Sequence, residues 1–369
     1  MQDLVSYLHT VGFAEQLADW ARIETGSDDA VGLAQFRTVL VEHLGTLHAA
    51  IEPVGATHVL ARWPGDGVPI LVLAHYDTVY PRGTLERQPV ERRGDKLFGP
   101  GTYDMKGGLL MACAAMQALQ ALDRMPRRPV WLLCTSDEET GSPTSRPFIE
   151  ALAAEAGTAL VLEAAALNGA LKTARKGVGM YHITIEGRAA HAGVAPETGR
   201  SALVELAHQT MWLHSLNDPD TGTTVSVGRA EGGTAGNVVP ADATAEIDVR
   251  VRSVAEAERI EHALKTRLPV LDGVSLQVTG GLNRPPMERT PAGVQLFEHA
   301  RRLAHELGFD AQETSTGGAS DGNFTAALGV PTLDGLGPTG GGAHALDEHV
   351  DLPSFVPRTA LLARLLETL

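Results

Sequence analysis

The side chains best suited to chemistry in this sequence stand directly after short apolar runs. Ile70-Leu71-Val72-Leu73-Ala74 leads into His75-Tyr76-Asp77. Residues two apart share a face of an extended chain, so His75 and Asp77 suit a metal ligand and the carboxylate that orients its ring. Alone, the pair is a weak signal, since most lone histidines are structural or lie at the surface. Val130-Trp131-Leu132-Leu133-Cys134 leads into Asp137-Glu138-Glu139. Three acids after a buried strand are costly unless water or a cation neutralises them. On extended backbone, Glu138 and Glu139 would point opposite ways, one toward a metal and one toward a water; a solvated acidic turn is the bland alternative. Ala159-Leu160-Val161-Leu162 ends in Glu163. Asp104, in Gly99-Pro100-Gly101-Thr102-Tyr103-Asp104-Met105-Lys106-Gly107-Gly108, is either an N-cap or a carboxylate held at a helix entry. That loop lacks the spacing of a phosphate loop. His344 closes Gly340-Gly341-Gly342-Ala343-His344, where glycines permit sharp turns. Two histidines and three carboxylates make up a dinuclear site in which one carboxylate bridges. Mixed nitrogen and oxygen ligation suits two zinc ions, with cobalt or manganese as alternatives.

The elements that must carry these residues follow from the pattern. The first fifty residues read as helices. The three apolar runs read as parallel strands covered on both faces, with an Ala/Leu/Met-rich helix, Leu109 to Leu122, between the first two. After about Arg175 the pattern alternates. Strands at Tyr181–Ile185, Thr223–Val227, Ala245–Val251 and Val274–Val278 enclose one helix marked by Leu203, Leu206, Ala207 and Met211 and another marked by Ala257, Ile260 and Leu264. The order β-α-β-β-α-β is the ferredoxin-like split unit. Helical and α/β character returns after about Leu282. The predicted fold class is therefore α/β: a catalytic, metal-binding domain with a mainly parallel central sheet (1–175 and 282–369), interrupted by an inserted α+β lid or dimerisation domain (176–281).

Composition narrows the partners. Thirty basic against 45 acidic residues give a net charge of −15, which opposes nucleic acid or an anionic membrane as partner. No run is long and apolar enough for a membrane span, and the N-terminus has an early acid and no basic region of the signal-peptide kind, so the expected compartment is the cytoplasm. Two cysteines, both in apolar runs, read as buried thiols.

Together the motifs resemble the M20 family of metallopeptidases: HYDTV at His75, GTYDMKGG at Asp104, SDEETGS at Glu138 and Glu139, VLE at Glu163 and GGAH at His344. HYDTVYPRGTL and AAHAGVAPE point within it to the glutamate carboxypeptidase branch. The resemblance implies that Asp104 bridges two zinc ions, with His75 and Glu163 completing one site and Glu139 and His344 the other. It implies that Glu138 is the general base and that Asp77 hydrogen-bonds His75. It further implies that His191, in GRAAHAGVAPETGRSAL, reaches from the lid toward an active site, usually the partner subunit's. Asn237, in AGNVVP, and Arg284 match positions near the substrate's carboxylate. Read without the resemblance, His191 is equally a core or surface histidine, and Arg284 equally a surface ion pair. The implied activity is hydrolysis of the amide bond of a C-terminal amino acid or an N-acyl-amino acid, with a small-molecule substrate and a homodimer formed through the lid. The sibling alternative is a deacylase such as acetylornithine deacetylase or succinyl-diaminopimelate desuccinylase; a non-catalytic binding protein would have lost a ligand or the base. Two stretches depart from the family pattern, Ala164-Ala165-Ala166 after Glu163 and Ala345-Leu346-Asp347-Glu348 after His344.

Overall fold

The computed structural model of the protein describes residues 2–369. The chain divides into two compact units. One comprises Met1–Ala174, Arg289–Ser315 and Ser320–Leu369, the other Arg175–Glu288 with Thr316–Ala319. The sequence-based division differs most at its C-terminal edge, 281 against 288. The last strand of the second unit, Ser275–Arg284, runs on through Gly280-Gly281, where no apolar alternation marks it.

In the first unit a six-stranded sheet has the order Ala50–Val54, His58–Trp63, Val130–Thr135, Ile70–His75, Thr158–Val161, Thr332–Leu333. The three apolar runs form its centre, paired in parallel with Ile70–His75 in the middle. Thr332–Leu333 extends the parallel part, and the first two strands are antiparallel. Those two lie outside the sequence expectation. Ala50–Val54 is a largely exposed edge containing Pro53, and its partner's apolar run is broken by Arg62. Ile70, Val72 and Ala74 pack into the larger core with the helices Gly107–Ala121 and Phe355–Thr368. Leu71 and Leu73 pack on the opposite face with Ile149, Leu152 and Phe324. Burial on both faces is what continuous apolar strands require. The helix Gly107–Ala121 is buried nearly all round, and its entry abuts the third strand: a Cβ on Gly108 would lie 2.0 Å from the Leu162 carbonyl oxygen. A small sheet, Gly340–Gly341, His349–Asp351, Lys96–Phe98 and Glu91–Arg93 in that order, anchors the glycine-rich segment before His344.

The second unit is a four-stranded antiparallel sheet ordered Thr224–Gly232, Asp242–Val251, Gly177–Glu186, Ser275–Arg284, with the helices Ala202–Ser215 and Val254–Lys265. This is the β-α-β-β-α-β arrangement. Ala257, Ile260 and Leu264 face its core. The first helix corrects the sequence reading. Of Leu203, Leu206, Ala207 and Met211 only Leu206 is buried, and the true inner face is Ala202, Glu205, Leu206, Gln209 and Leu213. Two polar residues sit inside because they are satisfied there. Glu205 accepts hydrogen bonds from the backbone N–H of Val270 and Leu271 and from Gln209. Among the described residues no helix is long and apolar enough to cross a membrane, and Cys113 and Cys134 are buried and unpaired.

Candidate active site

The parallel register sets the chemistry on one edge. His75 pairs with Thr135, and Leu73 with Val161, so His75, the loop Ser136–Glu139 and Glu163 all leave the sheet at its carboxyl end, where open α/β sheets gather ligands. Asp104 comes from the turn Thr102–Lys106. Its φ/ψ of −120°/94° is not helical, and the N-cap of the following helix is Lys106, so the N-cap reading of Asp104 is set aside. The Asp104–Met105 peptide is cis. Glu138 and Glu139 stand in a single 3-10 turn, not on the extended backbone expected.

These side chains converge. His75 Nε2 lies 3.2 Å from Asp104 Oδ1 and 3.5 Å from Glu163 Oε1. His344 Nε2 lies 3.3 Å from Asp104 Oδ2 and 3.2 Å from Glu139 Oε2. Each oxygen of Asp104 thus faces a different histidine. Ligand-type atoms of His75, Glu138 and Glu163 form one group within 4.8 Å, and those of His75, Asp104 and Glu139 another. Asp77 is fully buried and works in two directions. Its carbonyl oxygen is 3.0 Å from His75 Nδ1, with its carboxylate farther at 3.4 Å. The carboxylate accepts from the N–H of Glu138 and Glu139 and from Ser27 Oγ, at 3.2, 3.1 and 2.8 Å. The tie to His75 therefore runs mainly through the carbonyl, and the Asp77 side chain instead pins the turn that carries both glutamates.

The arrangement fits a cation. With Nδ1–H donated to Asp77, the Nε2 lone pair of His75 points at two carboxylate oxygens, which is repulsive unless positive charge stands between them. The spacings exceed the roughly 2.7–2.9 Å of charge-assisted hydrogen bonds. They match the edge of a coordination tetrahedron: ligand atoms about 2.0–2.1 Å from one ion lie about 3.3–3.4 Å apart. Without an ion, protons take its place. His344 is raised to about 10 by Asp104 and Glu139. Burial lowers the pKa of His75, but Asp104, Asp77 and Glu163 outweigh it and raise it well above the imidazole range. Burial likewise pushes Asp104 up, and His344 with His75 hold it far below the usual carboxylate range.

Two supporting residues escape motif reading. Lys106, 1% exposed, donates to the carbonyls of Trp20 and Ile23 at 3.2 and 2.7 Å and lies 4.7 Å from the Phe36 ring centre. Burial pulls its ammonium down to about 7. A lone lysine at the head of a largely apolar helix that is buried nearly all round is the signal that marks it. Glu348, fully buried, accepts the N–H groups of the Asp104 turn, and burial pushes its carboxyl up to about 7.

Three expected residues belong to the second unit. Backbone hydrogen bonds from Ala192 N to Asn237 O and from Val239 N to Ala190 O bring the His191 and Asn237 segments together, both exposed. His191 Nδ1 accepts from Gly193 N–H at 3.1 Å, so the neutral ring carries its proton on Nε2, free to donate outward. Arg284 is only 7% exposed, so it is a buried side chain and not a surface one.

The sequence pattern of Peptidase family M20/M25/M40 matches residues 71–368. The chain belongs to that family. Carboxypeptidase G2 of Pseudomonas sp. (strain RS-16) is 32% identical over 362 residues, covering 93% of this chain and 86% of that protein. A succinyl-diaminopimelate desuccinylase of Delftia acidovorans (strain DSM 14801 / SPH-1) is 29% identical over 334 residues, covering 84% of each. Among solved structures, aminopeptidase PepT from Bacillus cereus ATCC 10987 superposes with a TM-score of 0.78 at 23% identity, over 96% of this chain and 97% of that one. The M20 fold, with its mainly parallel central sheet, is therefore shared over nearly the whole chain, and the protein is a hydrolytic enzyme of a metal-dependent family.

Proposed function

We propose that this M20 enzyme is a dinuclear zinc hydrolase that releases the C-terminal amino acid of a peptide or the amino acid of an N-acyl conjugate, as a glutamate-type carboxypeptidase does. The observation that carries the reading is Asp104, whose two oxygens each face one histidine at 3.2 and 3.3 Å. Asp104 would bridge the ions, His75 and Glu163 would hold one, and Glu139 and His344 the other. Cobalt or manganese would suit the same donors. When bound, such a pair of ions supplies an acidified water and polarises the scissile carbonyl. Glu138, within the same cluster, takes the proton of the attacking water and passes it to the leaving amine. His191 donates from Nε2–H to the developing oxyanion. Arg284 and Asn237 hold the carboxylate of the departing amino acid. The second unit serves as lid.

Similarity to carboxypeptidase G2 over most of both chains favours this reading, and the 29% identity to a desuccinylase keeps a deacylase as the alternative. A homodimer through the second unit belongs to the reading as well. Thr224–Gly232 is an edge strand, and the neighbouring helix exposes Leu203, Val204 and Met211. Two buried, unpaired thiols suit a cytoplasmic location. The test is amino-acid release from a panel of folyl- and acyl-glutamates, dipeptides, acetylornithine and succinyl-diaminopimelate, with and without chelator. Chelator-sensitive release of glutamate is expected. Release confined to the succinyl or acetyl diamino acids would replace the carboxypeptidase with the deacylase.

A further inference from the structure

The loop after His344 reads Ala345-Leu346-Asp347-Glu348, and the side chain of its last residue accepts three hydrogen bonds beside the site. Glu348 is fully buried. Its Oε1 accepts the N–H of Tyr103 at 2.8 Å and of Asp104 at 3.0 Å, and its Oε2 the N–H of Gly101 at 3.1 Å. Its own carbonyl accepts Gly99 N–H at 3.1 Å, so one residue binds the segment 99–104 four times. Glu348 also closes the loop that carries His344. Its N–H donates to the Ala345 carbonyl, Ala345 N–H donates to the Gly342 carbonyl, and inside the second of these turns His344 holds a left-handed φ of 62°. Tyr80 adds a second tie, its hydroxyl donating to the Ala345 carbonyl at 2.8 Å.

We propose that Glu348 is a positioning residue that locks the Asp104 turn to the His344 loop and so sets the ligand geometry on the His344 side of the metal pair. This rests on the dinuclear reading above. The asymmetry comes from the fold. His75 ends a sheet strand and Glu163 lies two residues beyond one, after Leu162, whose N–H still donates to the Leu73 carbonyl, so both are placed by the sheet itself. His344 sits on a loop, half exposed at 53%, held beside Asp104 by the loop's own turns and by the ties that Glu348 and Tyr80 make to it. A carboxylate is needed because three N–H donors converge on one buried side chain. The amide of glutamine keeps one acceptor oxygen for Tyr103 and Asp104 but turns an NH₂ toward the Gly101 N–H, donor against donor. Loss of such a supporting contact typically weakens metal affinity by roughly 10- to 100-fold.

The test is zinc content of the full-length protein, titrated against a chelator, for wild type, Glu348→Gln and the shorter Glu348→Asp, alongside the melting temperature of each metal-free protein. Expected is a wild type that holds two ions, and variants in which one ion is held about 10- to 100-fold more weakly, the other, sharing only Asp104 with it, is weakened far less, and the metal-free melting temperature stays close to wild type. The visible spectrum of the cobalt-substituted protein should change mainly for the weakened ion. Two ions held at wild-type affinity in both variants would overturn the proposal. Equal weakening of both ions with a fall in metal-free stability would also overturn it, by making Glu348 a general scaffold residue. A wild type holding fewer than two ions would remove the dinuclear reading and this inference with it, which separates the two failures.

Discussion

At the scale of single residues, the proposed ligand set shows how far side-chain type and spacing carry. His75, Glu139 and Glu163 were legible because each follows an apolar strand, and strand ends on a parallel sheet share an edge. Asp77 was legible as a partner of His75, but not in its manner of working. Its carbonyl meets the ring while its carboxylate gathers the N–H groups of Glu138 and Glu139. That division depends on a 3-10 turn that residue types do not announce. The same turn bears on the general base. Glu138→Ala should leave zinc content unchanged and lower turnover by roughly 10²–10⁴-fold, the usual worth of a positioned proton carrier. Metal analysis beside steady-state rates checks it, and retained turnover would remove Glu138 from the mechanism.

At the scale of elements, the cluster is a trap for positive charge, and a proton and the proposed metal would compete for it. The pKa of His344, raised to about 10 by Asp104 and Glu139, exceeds its unfolded value of about 6.5. In the metal-free protein its protonation therefore adds stability that is fully present below about pH 6.5 and is lost as pH rises through about 10. Zinc needs the same lone pair. It must displace a proton at neutral pH and meets a freer ring above it, so the rise in melting temperature on adding zinc should grow from about pH 6.5 to about pH 9. Melting curves with zinc and with chelator across that range decide; a gain that shrinks with pH would contradict the site. In the second unit, the helix Ala202–Ser215 misled the sequence reading because Glu205 and Gln209 occupy its inner face. Apolar periodicity cannot see a carboxylate buried to satisfy two loop amides. Glu205→Ala should strip the acceptor from Val270 and Leu271 N–H and cost about 1–3 kcal/mol, measured by denaturant unfolding.

At the scale of the whole molecule, the exposed apolar residues of that helix acquire a meaning. Leu203, Val204 and Met211, the last 71% exposed, lie on the same helix, and Thr224–Gly232 leaves a sheet edge unpaired among the described residues. If the protein pairs there, Met211→Glu should shift its sedimentation mass from dimer toward monomer while the melting temperature of the second unit holds. A wild type that sediments as a monomer would remove the dimer.

The sequence by itself determined the M20 resemblance, the three parallel strands, the β-α-β-β-α-β order and the residue types of the proposed metal site. These rest on local signals: apolar runs, period-two alternation, and acids or histidines at fixed offsets from strand ends. Only the tertiary structure decided which oxygen of Asp104 faces which histidine, that Asp77 acts through both carbonyl and carboxylate, and that Glu348 joins segments 244 residues apart around Asp104. The physical reason is that backbone N–H groups have no signature in the residue string. Which buried carboxylate satisfies them is set by where the folded chain brings its loops together.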